Sequence, residues 1–310
     1  MRGARRETVQ APRARARERA TSRAAFGILP GTMKISFAKS TAALLKGCRA
    51  LMVVGPQRAF KAKHLPKLLP RRQMELLLEL ARDIDPGDLG ASGSTLTPAG
   101  DSPRKLILGL LPDRVSRYNS PARAESIRRV ISSATLGSSG KVGVLLLLDS
   151  DEHQLAAVNA VGRALPSFSA KSTKPSTLRV QVLALDLEGN KLAASGVVRE
   201  TLAASRHAAE LVDLPPDRLN PEAFAARASE VLGGIDRVKS RVIAGDKLLD
   251  HGLRGIHTVG RSAPCPPRIL VADYTPARAS GPHVALVGKG VTYDTGGLLS
   301  LIHISEPTRQ

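Results

Sequence analysis

Residues Lys141–Leu165 read KVGVLLLLDSDEHQLAAVNAVGRAL and contain a complete transition from strand to helix. The run Lys141–Leu148 is almost continuously apolar, which is typical of a strand that is covered on both faces. The apolar residues that follow recur at helical spacing, and the sequence Asp-Ser-Asp at 149–151 supplies side chains that cap a helix start. A buried strand followed directly by an amphipathic helix indicates an α/β fold.

The same alternation extends outward on both sides of this stretch. Strands that alternate with helices build βαβ units around a mostly parallel sheet, so we predict an N-terminal α/β domain over residues 33–190. The predicted strands are Lys34–Ala38, Ala50–Val54, Lys105–Leu110, Lys141–Leu148 and Leu178–Leu185, and the predicted helices are Arg72–Ile84, Pro121–Ser132 and Asp151–Ala164.

A second α/β domain is predicted over residues 191–298, with the boundary at 187–200. The stretch Gly87–Ser102 is rich in Gly, Ser, Thr and Pro and is interpreted as a surface loop of the first domain. Helices are expected at Val198–Val212 and at Pro221–Leu232, where Asn220 can act as the cap. Strands are expected at Gly255–Val259, Arg268–Asp273 and His283–Val287.

Composition narrows the functional classes. The 310 residues contain no apolar run near the length that spans a bilayer, so no membrane association is expected. The two cysteines, Cys48 and Cys265, lack the spacing of a zinc site or a disulfide framework, which favours a reducing, cytoplasmic setting. The formal charge of +19 leaves nucleic-acid binding open.

Part of that positive charge lies in residues 1–32, which hold eight arginines against Glu7 and Glu18. This segment has no apolar core of the kind that a secretory signal requires. We expect it to be disordered or untranslated, with translation starting at Met33.

The segment VALVGKGVTYDTGGL, residues 284–298, carries the candidate chemistry. An apolar stretch leads into a glycine-rich loop with Lys289 and Asp294, and active sites in open α/β sheets form at the carboxyl ends of strands. Asp294 offers oxygen ligands for divalent cations, and a nearby metal can lower the pKa of Lys289 until its amine becomes a ligand. From these residues alone, a solvated turn with an ion pair or a loop that binds an anion is equally compatible.

VGKGVTYDTGG resembles the VGKG-[IV]-T-[FY]-D-[ST]-GG signature of the M17 leucyl aminopeptidases. Upstream, LVDLPPDRLNPEAFA and GLRGIHTVGRSAPCPPRILVADY are similar to two further elements of that family. The similarity covers about residues 211–298. The departures Asp213, Asp217 and Arg254 do not fall on metal ligands of the family.

The resemblance implies a fold and a function. It implies an N-terminal domain related to macro domains, then a catalytic α/β domain with two divalent metals, Mn or Zn, in a homo-hexamer. Lys289 matches a lysine that ligates one metal, and Asp294 matches an aspartate that contacts both. The implied activity is removal of N-terminal residues from peptides with free N-termini.

The resemblance also implies that the site is incomplete. The family's second catalytic lysine falls at Leu301, so no catalytic residue is expected in this chain and no turnover by it. Residues 299–310, LSLIHISEPTRQ, resemble the translation of a sequencing-library adapter, and we interpret them as a non-native tail. We therefore expect a fragment of the family's catalytic domain.

Two other functions remain open. The first is nucleic-acid binding by the N-terminal domain, supported by the basic stretch Arg58–Arg72, although Phe60 is its one aromatic residue, which makes base stacking a weak contribution. The second is binding of a nucleotide-type ligand by the macro-like domain. No glycine-rich phosphate loop follows a predicted strand there, so we expect no such binding.

Overall fold

The protein is described by a computed structural model over residues 33–61, 68–115, 120–166, 177–278 and 280–292. Residues 1–32, Asp294, Leu301 and the tail 299–310 lie outside the described residues. The described chain forms two compact units that divide between Leu219 and Asn220.

The first unit is built on a seven-stranded sheet in the order β1-β6-β5-β2-β4-β3, with β7 paired to β6. β1, β6, β5, β2 and β4 are parallel, whereas β3 and β7 are antiparallel to their neighbours. The parallel-dominated α/β prediction is therefore confirmed. The strands are β1 (Lys34–Phe37), β2 (Ala50–Pro56), β3 (Ala91–Leu96), β4 (Lys105–Leu111), β5 (Ser139–Leu148), β6 (Thr177–Asp186) and β7 (Lys191–Leu192).

Helices cover both faces of this sheet. Alternate residues of β5 point to opposite faces, so Leu146 packs with the helices α3, α4 and α5, while Leu145 packs with α1 and α2. Each fully buried leucine contributes about 2 kcal/mol by leaving water. The helices are α1 (Thr41–Leu45), α2 (Arg71–Asp83), α3 (Ala124–Ser133), α4 (Gln154–Ala164) and α5 (Gly196–Asp213).

Helix α5 packs in the first unit, whereas the domain boundary was predicted at 187–200. Its Val198 and Leu202 lie in the same buried cluster as β5. Its Arg206 donates hydrogen bonds of 3.0 and 3.1 Å to the carbonyls of Gly162 and Leu165 at the end of α4, and one of 3.0 Å to Met33. Burial lowers the pKa of Arg206. The division between the units falls within the proline-rich segment that follows α5.

Strand β3 falls inside the stretch that was predicted to be a loop, and that prediction is wrong. Its sequence, ASGSTL, lacks the apolar run of a buried strand because β3 is the edge of the sheet and pairs with β4 alone. A side chain at Gly93 would place its Cβ 2.5 Å from Cδ1 of Ile84, so the Ile84 side chain packs here against a residue without a Cβ.

The second unit contains α6 (Pro221–Gly233), β8 (Val238–Ala244), α7 (Lys247–Asp250), α8 (Arg254–Gly260) and β9 (Arg268–Tyr274). β8 and β9 form an antiparallel pair, and α6 packs against both strands. The strand predicted at Gly255–Val259 is wrong, because these residues form α8. Its apolar positions, Ile256 and Val259, are three apart, which fits a helical turn better than a strand.

Candidate metal centre

The glycine-rich loop follows β9 without forming the expected strand. The prediction of a strand at His283–Val287 is wrong, because these residues have no ladder partner within the described ranges. The side chains of Val284, Leu286 and Val287 are 81%, 94% and 97% exposed. An apolar run becomes a strand only where a neighbour satisfies its backbone groups, and β9 pairs with β8 alone among the described strands.

Helix α6 approaches this loop at Gly290. Asn220 caps α6 by accepting hydrogen bonds of 3.1 and 2.9 Å from the backbone N–H groups of Glu222 and Ala223, and Pro221 occupies the first helical turn. Phe224, in the same turn, lies against Gly290, where an added Cβ would come within 3.3 Å of its Cε1 atom. The second glycine of VGKG thus allows the backbone beside Lys289 to pass close to α6.

Lys289 is the one predicted metal ligand within the described residues, and its side chain is exposed. Asp294 cannot be placed beside it, since Asp294 lies outside the described ranges. The described residues contain no group of three or more His, Cys, Asp or Glu side chains that could hold a metal ion. Taken alone, they do not make up a two-metal centre.

Charged residues elsewhere in the second unit pair with one another. His257 Nε2 lies 3.1 Å from Asp246 Oδ1, and Arg241 lies 3.3 Å from Asp273 across the β8–β9 pair. Arg268 is largely covered and lies 3.8 Å from Glu222 at the start of α6. These pairs connect neighbouring elements and leave no convergent set of carboxylates near Lys289 in the part of the chain described.

A second charged cluster, which the sequence did not predict, joins the carboxyl ends of β2, β4 and β5. Arg123 is 4% exposed, and its NH1 group lies 2.6 Å from Asp149 Oδ2, just after β5. Its Nε donates a hydrogen bond of 2.7 Å to Pro112 O after β4. Arg58, after β2, pairs with Asp149 at 2.8 Å and with Asp113 at 3.5 Å, and its backbone N–H donates a hydrogen bond of 2.9 Å to Asp113 Oδ1.

This cluster is a structural clamp, because Arg123 directs its nitrogens at carbonyl and carboxylate oxygens of the protein itself. One indication of this cluster was present in the sequence, since Asp113 and Asp149 both follow apolar strands. Arg123 also has a φ of 50°, in the left-handed region, which the sequence pattern did not reveal.

Two family models match the chain in succession. The M17 aminopeptidase N-terminal domain 2 matches residues 50–174, and the catalytic domain of the cytosol aminopeptidase family matches residues 206–302. The chain belongs to the M17 aminopeptidase family. The first M17 match lies within the parallel sheet, and the second begins inside α5 and includes the VGKG loop.

Individual relatives from the M17 family are similar to this chain. Leucine aminopeptidase 1 of Caenorhabditis elegans is 35% identical over 190 residues, which is 61% of this chain and 38% of the relative. The probable cytosol aminopeptidase of Micrococcus luteus is 31% identical over 191 residues, covering 57% of this chain and 36% of the relative. The chain therefore spans less than half the length of these relatives.

A solved structure of the C. elegans leucine aminopeptidase is similar to this chain with a TM-score of 0.69 and 25% identity, over 85% of this chain and 53% of the other. These matches give no support to the nucleic-acid alternative. Within the described ranges, every helix is too short or too polar to cross a bilayer.

Proposed function

We propose that this chain carries the N-terminal domain and the first part of the catalytic domain of a metal-dependent aminopeptidase that removes N-terminal residues from peptides. The observation that carries the proposal is the succession of the two M17 matches, the second of which contains Lys289 in the VGKG loop. The packing of Gly290 supports it, since a Cβ added there would lie only 3.3 Å from Phe224 on α6.

Within this proposal Lys289 and Asp294 are two of the metal ligands, and the metals are two divalent cations, Mn or Zn. Leu301 stands where the family has its second lysine, so we propose that this chain has no turnover. A cytoplasmic location is proposed because relatives are described as cytosol aminopeptidases. A homo-hexamer is proposed for the complete enzyme.

The experiment transfers the loop into a complete relative. Residues 287–298 of this chain, and in a second graft residues 206–298, replace the matching segment of the C. elegans leucine aminopeptidase 1. Hydrolysis of leucine p-nitroanilide is measured with added Mn²⁺ or Zn²⁺, for both grafts and for this chain alone. We expect metal-dependent turnover by the grafts and none by this chain.

Substitution in the smaller graft tests the role of Lys289. We expect Lys289→Met to lower kcat/KM by about 100-fold or more, because a metal ligand is lost. In the larger graft, Lys247→Met, on α7, is the matched control and should leave kcat/KM unchanged. Equal activity of the Lys289→Met graft and its parent would contradict the assignment of this ligand, and turnover by this chain alone would contradict the proposed inactivity.

A further inference from the structure

A crevice of about 200 Å³ lies in the first unit, at the edge of the sheet where β1 ends and β7 begins. Both strands pair with the same edge of β6, β1 through Phe37 and Val182 and β7 through Leu192 and Ala184. The change from a parallel to an antiparallel neighbour opens the gap between them. The carboxyl end of β1 faces this gap, and ligands in open α/β sheets bind at the carboxyl ends of strands.

The rim of the crevice is positively charged. Lys39, Lys191 and Arg199 line it, and none of the described lining residues is acidic. Neither lysine has a carboxylate within ion-pair distance among the described residues. The first turn of α5, which precedes Arg199, also lacks an acidic residue, so the positive end of this helix is uncompensated there.

Contacts hold the Arg199 side chain in place and leave its two terminal guanidinium nitrogens available to bind a ligand. Its guanidinium carbon lies 4.6 Å from the centroid of the Phe37 ring, and its Nε donates a hydrogen bond of 3.2 Å to Ala194 O. Within the described chain its two terminal nitrogens make no hydrogen bond. A guanidinium that is fixed at Nε and stacked on a ring loses little freedom when it binds a carboxylate with two parallel hydrogen bonds.

Aliphatic side chains line the interior of the crevice. Val158, Val182 and Leu192 contribute to it, and the amide nitrogen of Gln154, which also lines it, is engaged by a hydrogen bond of 2.8 Å to Leu192 O. A ligand that fits must therefore combine one anionic group for the rim with a short aliphatic part for the interior.

We propose that this crevice binds a small aliphatic monocarboxylate, with Arg199 as the anchor of the carboxylate. A free amino acid fits less well, since its ammonium would face three cations and no acidic partner. The site is separate from Lys289 and does not depend on the proposed peptidase function.

The test uses the full chain and the probe 4-methylpentanoate, with its neutral analogue 4-methylpentanamide as the control ligand. Binding is followed by NMR chemical-shift changes at low salt, and a dissociation constant on the order of 1 mM is expected for so small a ligand. The carboxylate should bind about tenfold or more tightly than the amide, and shifts should concentrate at residues 37–39 and 191–199.

Three variants locate the binding. Arg199→Gln should weaken 4-methylpentanoate about tenfold or more, while Arg163→Gln, an exposed arginine on α4 outside the crevice, should leave binding unchanged. Ala193→Leu, which fills the exposed side of the crevice without changing charge, should also abolish binding. The thermal midpoint of each ligand-free variant shows that it folds.

Several results would overturn the proposal. One is equal affinity for the amide and the carboxylate. Another is an equal loss of binding in Arg199→Gln and Arg163→Gln, and a third is unchanged binding in Ala193→Leu, which would mean association with surface charge only. Absence of shifts at carboxylate concentrations on the order of 10 mM would do the same.

Discussion

The two compact units differ in what they do with apolar side chains. In the first, Leu145 and Leu146 of the central strand β5 are 1% and 0% exposed, and helices cover both faces of the sheet. In the second, Ile243 and Leu248 are buried, whereas Leu286 and Val287 are almost completely exposed. The first unit therefore encloses its own core, while the described part of the second encloses little, so most of the chain's stability resides in the first unit.

Separation of the units is expected to give the largest effect. Residues 33–219 alone should unfold cooperatively, with a free energy of unfolding in the ordinary range of about 5–15 kcal/mol. Residues 220–298 alone should show no cooperative transition, because their two-stranded sheet and three helices bury few apolar side chains in the described part. Circular dichroism during heating and amide hydrogen exchange check both fragments. A cooperative transition in 220–298 would contradict the claim that the second unit lacks a core of its own.

The next effect concerns ion pairs. Arg123→Ala removes a buried guanidinium from the first unit and should lower the free energy of unfolding by about 3–5 kcal/mol, because the partly buried Asp149 loses one of its two cationic partners and three backbone carbonyls lose a donor. Arg241→Ala removes an exposed partner of Asp273 in the second unit and should cost under about 1 kcal/mol. Urea unfolding of the full chain measures both, and equal costs would contradict the distinction.

Substitutions of apolar residues should distinguish the two units in the same way, with slightly smaller changes in the free energy of unfolding. Leu146→Ala should lower the free energy of unfolding by about 2–5 kcal/mol, since it leaves a cavity in β5. Leu286→Ala, at a position 94% exposed, should change it by less than about 0.5 kcal/mol. The midpoint and slope of the urea transition report each change. A large loss in Leu286→Ala would show that this side chain is covered in solution.

The smallest effect is a dependence on pH in the first unit. Hydrogen bonds from Arg128, and then from Arg129, lower the pKa of Glu125 from 4.5 to about 2. Because this pKa is lowered by folding, its contribution is present above pH 4.5 and is lost as pH falls toward 2. Glu125→Gln should therefore cost under about 1 kcal/mol near neutral pH, since the pair is exposed. The cost should disappear near pH 2.

Urea unfolding at a series of pH values measures this difference. Glu79→Gln on α2 is the matched control, because Glu79 is exposed and has no ion-pair partner among the described residues. A deficit in Glu125→Gln that stays constant across the acid range would contradict the pKa shift as its cause.

Much of the fold could be predicted, because buried parallel strands leave a strong sequence signal. All five strands predicted in the first unit are confirmed; β2, β4 and β5 are apolar runs covered on both faces, whereas β1 alternates between exposed and half-buried residues. The edge strand β3 and the exposed strand β8, VKSRVIA, were missed because neither has that run. At His283–Val287 the apolar run was present but the pairing partner was not, so sequence pattern alone gave the wrong structure.

The candidate site was less predictable from chemistry. Lys289 and Asp294 gained meaning through the family resemblance, because one lysine and one aspartate on a glycine-rich loop fit several kinds of site. The contact between Gly290 and Phe224 joins residues far apart in sequence and required the structure. The Arg123 clamp was hidden for the same reason, since its partners Pro112 and Asp149 follow two different strands, β4 and β5.

The three hydrogen bonds of Arg206 determine where recombination between related genes would leave the packing of α5 intact. An exchange of segments between relatives at residue 190 would separate α5 from the sheet and remove the donor from Met33, Gly162 and Leu165 at once. An exchange after Leu219 would leave every one of these bonds within a single parent. A recombination crossover is therefore least disruptive after α5, and the sheet and α5 would then come from the same parent.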